Sequence, residues 1–235
     1  MKKTILLILT LAMVKLSFTQ NKINSKIINK QKPNKSLVPF KSSNEVTIGE
    51  QVWMTKNLNV DKFRNGDHIP EAKTPQEWVR AIQWGQPAWC YYENNATKGA
   101  KYGKLYNWYA VNDPRGLAPQ GWKIPSDEDW SILTNFLGGR AEAGKKMKFT
   151  DFWFENNLNG GSGNGSNESR FSGLPGGHRF HGGHFLSMGR CGNWWTRTEQ
   201  STYNAWYFEL DYRFSSGDIR ASDKYLGMSV RCLRD

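Results

Sequence analysis

The sequence predicts an α+β domain with an aromatic core and many loops, and three observations predict it. All 11 tryptophans and 23 glycines lie beyond residue 44, while long Leu- or Ile-rich helices are scarce. Short helices announce themselves by their caps rather than by length. One late stretch, "YNAWYFELDY", alternates with the period of a half-buried strand.

Taken in order, "EVTIGEQVWM" sets two β-rich runs around Gly49-Glu50, a two-residue turn whose leading glycine suits a type II′ hairpin. "TPQEWVRAIQWG" reads as a helix: Thr74 caps it, Pro75 takes the first position, Glu77 completes the capping box and Gly85 ends it. "YGKLYNWYAV" predicts a short helix with Leu105, Trp108 and Tyr109 on one side, closed by "NDPRG". In "GWKIPSDEDW", Ser126 is the N-cap and Asp129 reaches back to its N–H. Trp130, Leu133 and Leu137 then form the apolar face before Gly138-Gly139. Asp127, Glu128 and Asp129 crowd onto the positive end of that helix; they point about 100° apart, so they serve the dipole and not a metal. Residues 156–192, dominated by Gly, Asn and Ser, read as one long loop, which in a compact domain is either functional or poorly ordered. The following strand places Trp206, Phe208 and Leu210 on one face and Tyr207, Glu209 and Asp211 on the other. After a turn at Ser215-Ser216-Gly217, "LGMSVRC" closes the fold with Met228, Val230 and Cys232 inward.

The ends of the chain differ in kind. Lys2 and Lys3 precede an apolar run at 5–14, shorter than the roughly 20 residues of a membrane span, and Ser17 and Thr19 follow at cleavage spacing. Residues 1–19 therefore read as a secretory signal cut before Gln20, with an uncleaved anchor as the alternative that Lys15 raises. The first cysteine is Cys90, so no lipid-modified N-terminal cysteine follows the signal. The formal charge of +11 suggests nucleic acid until it is divided: residues 1–44 hold nine lysines and no acid, leaving 23 basic against 21 acidic residues beyond them. Residues 20–44 read as a disordered basic linker, and the body at 45–235 as one nearly neutral domain with no nucleic-acid signature. Three cysteines in an exported chain allow one disulfide and one leftover thiol.

Several strings together resemble the Fibrobacter succinogenes major paralogous domain family: "VTIGEQVWMTKNLNV", "WCYYENN", "YGKLYNWYAV", "GLAPQGWKIPSDEDW", "GLPGGHR", "WWTRTE" and the terminal "SVRCLRD". They run in order through the whole of 45–235. The resemblance implies a C-type-lectin-like fold, with two or three short helices around small twisted antiparallel sheets and long Gly-rich loops. That superfamily also holds the formylglycine-generating enzymes. It implies no particular activity. Sugar-binding C-type lectins need a Glu-Pro-Asn or Gln-Pro-Asp triplet and a later Trp-Asn-Asp, because calcium wants clustered oxygens; "QPA" at 86–88 does not match. Formylglycine-generating enzymes need a late cysteine pair, and Cys191 stands alone. Because Cys90 and Cys232 sit in strings that match the family, the resemblance implies a Cys90–Cys232 bridge. Cys191 with Cys232 is the competing pair.

Candidate site residues follow from chemistry. His178, His181 and His184 in "HRFHGGH" could converge on a transition metal, but their spacing in a glycine-rich stretch fixes no common face; no metal and no cofactor is expected. Glu209 and Asp211 share a strand face, which reads first as a solvated face and only secondarily as an acid/base pair. Trp194 and Trp195 are adjacent, so a strand turns one away from the other; an exposed one would stack on a sugar or a partner surface, with His181, Arg190, Tyr203 and Tyr212 supplying polar contacts, although the resemblance favours a structural role for both. The reading is a secreted or cell-surface, non-enzymatic binding module for a glycan or a protein partner, with no transmembrane segment after signal removal. The alternatives are a hydrolase-like enzyme assembled from the late loop and a purely structural surface domain.

Overall fold

The computed structural model of the chain describes residues 44–156 and 161–235, all within the unit Ser43–Asp235. The signal expected at 1–19 and the linker expected at 20–44 lie outside the described residues, except for Asn44. Among the described residues no helix is long and apolar enough to cross a membrane.

The architecture is mixed α+β, with several small sheets and few helices. Strands β1 (Glu45–Ile48) and β2 (Gln51–Met54) form the opening hairpin. Gly49 closes it at φ 61°, a backbone conformation that costs glycine nothing, with Ile48 paired to Gln51. Helix α1 (Pro75–Gln83) carries its full capping box at Thr74 and Glu77. β3 (Trp89–Cys90), α2 (Ala96–Tyr102), β4 (Leu105–Tyr106) and α3 (Trp108–Val111) follow. The string "YGKLYNWYAV" is thus split and is not one helix, because Asn107 turns the chain. Its side chain accepts from the N–H of Ala88 and of Ala110 and donates to the Gln86 carbonyl. β5 (Trp122–Lys123) leads into α4 (Asp127–Phe136), whose Ser126–Asp129 capping box is complete, and Gly138-Gly139 then admits a second helix, α5 (Arg140–Met147).

The stretch read as one long loop holds more structure than its composition suggests. After β6 (Glu155–Asn156) and β7 (Gly161–Ser162) come β8 (Gly176–Arg179) and β9 (Phe185–Met188), paired antiparallel. β10 (Cys191–Glu199), β11 (Asn204–Asp211), β12 (Gly217–Asp223) and β13 (Leu233–Arg234) complete the chain. The main sheet has the order β12-β11-β10-β8-β9; a four-stranded sheet runs β1-β2-β13-β5, so the last strand lies between the hairpin and β5.

The middle of the main sheet is covered on both faces, which rules out the ligand-stacking role considered for one of the paired tryptophans and leaves both in the structural role that the resemblance favours. Trp194 and Trp195 do point oppositely, but both are 0 % exposed. Trp194 packs with Trp53, Trp130, Phe171 and Phe208; Trp195 packs with Tyr106, Trp108 and Val230. Trp130 stacks on Phe208 with centroids 4.2 Å apart and planes 7° apart.

The expected bridge is also corrected. Cys90, Cys191 and Cys232 all carry free thiols. Cys90 is enclosed with Trp78, Ala88 and Leu105, whereas Cys232 belongs to the cluster of Tyr106 and Trp108, so each sulfur packs among different apolar side chains. Burial pushes both thiols up to about 12. Fastening falls instead to two buried arginines. Arg179 donates to the carbonyls of Gly183, Ala72 and Thr74 and lies over the rings of Trp78 and Phe185. Arg231 donates to Asn57 Oδ1 from both Nε (3.1 Å) and a terminal nitrogen (2.7 Å), and to the Phe171 carbonyl. Each guanidinium thus ties segments more than 50 residues apart in sequence, using the planar fork that lysine lacks.

Candidate functional site

The alternation of β11 that sends Phe208 and Leu210 into the core sends Tyr207, Glu209 and Asp211 to the opposite face of the main sheet. Cross-strand partners extend that face: Trp195 opposite Tyr207, Asn193 opposite Glu209 and Cys191 opposite Asp211 on β10, with Asp218 opposite Glu209 and Arg220 opposite Tyr207 on β12. The face is not simply solvated. Burial raises the Glu209 carboxyl above its ordinary value against the pull of Arg220, whose Nε lies 2.6 Å from it. Burial also pushes on Asp211, but Arg213 outweighs it: the guanidinium donates to both carboxylate oxygens at 3.0 and 2.9 Å and the Arg213 N–H adds a third bond at 2.8 Å, holding Asp211 ionised. Burial, followed by the charges of Asp211 and Glu209, pushes the Cys191 thiol up to about 12, and that thiol donates to Asp211 Oδ2 at 3.6 Å.

At the edge of this face a row of arginines and aromatic rings reaches solvent. Arg190, in the turn between β9 and β10, lies 5.5 Å from the ring centroid of Phe154. Phe154 meets Tyr212 edge-on at 6.5 Å; Arg213 lies 5.8 Å from Tyr212 and 5.1 Å from Phe214. Phe214 then lines an open groove of about 450 Å³ with Arg140, Ser216, Asp218 and Arg220. Phe154 and Phe214 are each about half exposed, although phenylalanine is among the side chains most often fully buried. A second groove, of about 330 Å³, is lined by Arg64, Lys123 and Arg197 among others. Its cations are largely engaged: Arg64 donates to the Ala118 and Trp122 carbonyls, and Lys123 pairs with Asp129.

With this geometry in view, the family comparison is decisive for descent: the model of the Fibrobacter succinogenes major domain matches residues 46–234. The chain belongs to the Fibrobacter succinogenes major domain family. No curated protein and no solved structure matches it.

In this Fibrobacter succinogenes major domain the residues singled out from sequence separate into groups. Arg190 and Tyr212 come together, the Tyr212 N–H donating to the Arg190 carbonyl at 2.8 Å. Tyr203 is 68 % exposed but sits in the turn between β10 and β11, at the other end of those strands. His181 lies tilted against Phe180 in the β8–β9 turn, apart from the row. Trp194 and Trp195 are buried and touch no solvent. His178 packs against Asn193 with Nδ1 and Nδ2 3.2 Å apart, and burial holds its pKa below the ordinary value, assisted by His184. Among the described residues no group of three ligand-type side chains gathers at the histidines; the one that does gather is Cys191, Glu209 and Asp211. The string "QPA" is a connector, with the Gln86 N–H bonded to Ala81 and Ala88 held by Asn107.

Sequence reasoning missed Phe154, Arg140, Arg213, Phe214 and Arg220. For the middle of the row a signal existed: "DYRFSSGD" alternates aromatic, arginine and aromatic in a turn, where apolar side chains have no core to enter. Arg140 and Phe154 come from distant segments and left no local mark.

Proposed function

We propose that this protein is an exported, non-enzymatic binding module on a C-type-lectin-like scaffold, recognising a neutral glycan at the cell surface through the row from Arg190 to the Phe214 groove. The observation that carries the reading is that half-exposed rings alternate there with arginines, of which Arg213 and Arg220 are held by carboxylates. Sugar rings offer apolar faces to aromatics and vicinal hydroxyls to paired donors and acceptors, and Arg220 with Asp218 and Arg140 with Asp218 present both. Near balance of charge along the row favours a neutral ligand over an anionic one. The scaffold reading is supported by the pairing of β13 with β2, which brings the ends of the domain together. The enzymatic alternative has less support, since Glu209 and Asp211 are each engaged by an arginine and no carboxylate-histidine cluster exists among the described residues.

Glycan-array binding of chelator-treated protein tests this. Phe214→Ala is expected to lower binding at least tenfold with unchanged melting. Trp194→Ala and Trp195→Ala, by contrast, should lose about 3–5 kcal/mol of stability. Binding that survives Phe214→Ala, or an array silent while a surface protein is retained through the same residues, would defeat the glycan reading.

A further inference from the structure

The strongest unexplained atom in the described structure is the side-chain oxygen of Asn193. Asn193 is 4 % exposed, and its Oδ1 is buried with no hydrogen-bond partner among the described residues. A buried amide carbonyl left unpaired is costly and calls for an explanation. The position of the amide supplies one. Its Nδ2 contacts His178 on β8, and across the other side of β10 its direct cross-strand partner is Glu209 of β11. Two residues along the same face stands Cys191, opposite Asp211. The ligand atoms of Cys191, Glu209 and Asp211 already lie within 4.8 Å of one another.

We propose that Cys191 Sγ, Asn193 Oδ1 and the carboxylates of Glu209 and Asp211 form a site for a divalent cation of the zinc type. One thiolate and three oxygens make a four-donor set of mixed softness, which suits zinc or cobalt better than calcium or magnesium. Tetrahedral zinc sets its donors about 3.5 Å apart, so the ligand atoms of Cys191, Glu209 and Asp211 need to draw in by only about 1 Å. On binding, the thiol gives its proton to the buffer and the sulfur takes the metal in its place. The three anionic donors then exceed the cation's charge by one. Arg213 and Arg220, which hold the carboxylates from the solvent side, offset the excess and act as outer partners. The two strands thus supply donors that no single string in the sequence contains. The site borders the exposed row and shares Arg213 and Arg220 with it, but its thiolate readout does not depend on glycan binding.

Cobalt titration of the reduced, chelator-stripped full chain tests the assignment. The expected result is binding of one equivalent with a near-ultraviolet thiolate-to-cobalt charge-transfer band, displaced by zinc, with affinity rising with pH. Cys191→Ser should abolish the band and weaken binding at least 100-fold; Asn193→Ala and Glu209→Gln should each weaken it at least tenfold. Should Cys191→Ser not fold, Glu209→Gln decides, since it keeps every thiol. A band that persists in Cys191→Ser, affinity unchanged in Glu209→Gln, or no band at all would overturn the site. Cys90 and Cys232, enclosed in the core, provide no alternative thiolate.

Discussion

Arg231 shows how a single residue can be both costly and necessary. Its guanidinium is wholly enclosed, and burial lowers its pKa to about 9, with only a modest opposing pull from Cys232. Among the described residues no carboxylate is a hydrogen-bond partner of Arg231; the charge is held by Asn57, the Phe171 carbonyl and the faces of Phe171 and Trp194. Such an arrangement tolerates removal of the charge better than removal of its partners. Arg231→Met would leave the Phe171 carbonyl unpaired, while Asn57 Oδ1 still accepts from Trp194 Nε1 at 2.8 Å. Arg231→Lys would keep a buried cation whose compact head cannot reach Asn57 and Phe171 together. Arg231→Lys is therefore expected to be the less stable variant, by about 1–3 kcal/mol in urea denaturation. The reverse order would show that the planar fork is not what the site requires.

At the scale of elements, α5 holds the turn that carries Tyr212, Arg213 and Phe214. Its Lys145 N–H donates to the Ser215 carbonyl at 2.9 Å, and the buried Lys148 donates to the carbonyls of Asp211 and Phe214 at 3.1 and 2.8 Å. The approach is so close that a Cβ on Gly144 would stand 2.1 Å from the Ser216 carbonyl oxygen. Gly144→Ala must push helix and turn apart, which costs about 1–3 kcal/mol and displaces the groove. Ser126→Ala removes only a cap on α4 and costs about 1 kcal/mol, or about 2–4 °C of melting temperature. Both variants should melt earlier, but only Gly144→Ala should also weaken ligand binding. Calorimetry paired with a binding assay separates the two, and equal loss of binding in both would refute the coupling of α5 to the row.

For the whole molecule, the buried titratable groups predict a stability curve with an alkaline maximum. Cys90, Cys191 and Cys232 hold their protons more tightly folded than unfolded, so their contribution is complete below pH 9 and drains away toward about 12. Lys148, lowered to about 8 by burial, does the opposite: the unfolded chain binds the extra proton, so stability rises with pH from about 8 to 10.5. Lys101 and Lys104 are lowered in the same direction, and Arg231 adds a rise from about pH 9. Above pH 10 the raised tyrosines, Tyr106 foremost, join the thiols in destabilising the fold. Stability in reducing buffer is expected to rise from pH 8 to 9, level off, and fall beyond 10.5. A continued rise to pH 11, read by denaturant titration, would contradict this balance.

Local chemistry by itself determined the capped starts of α1 and α4, the hairpin at Gly49, the alternation of β11 and, through its ordered strings, the family. These were legible because each depends on residues within a few positions of one another: Ser126 needs only Asp129, and Gly49 needs only its own missing Cβ. The same locality misled at "YGKLYNWYAV", where a distant demand on Asn107 broke the helix, and at residues 156–192, where glycine-rich chain pairs as strands once the main sheet offers an edge. Tertiary structure alone decided that both Trp194 and Trp195 are core, because a second layer covers the face that alternation would leave open. It also decided that Cys90 and Cys232 lie in separate apolar clusters, and that Cys191, Glu209 and Asp211 meet, with Asn193 opposite Glu209 beside them. Contacts across strands are set by register, and register is settled only when the whole sheet buries its faces at once.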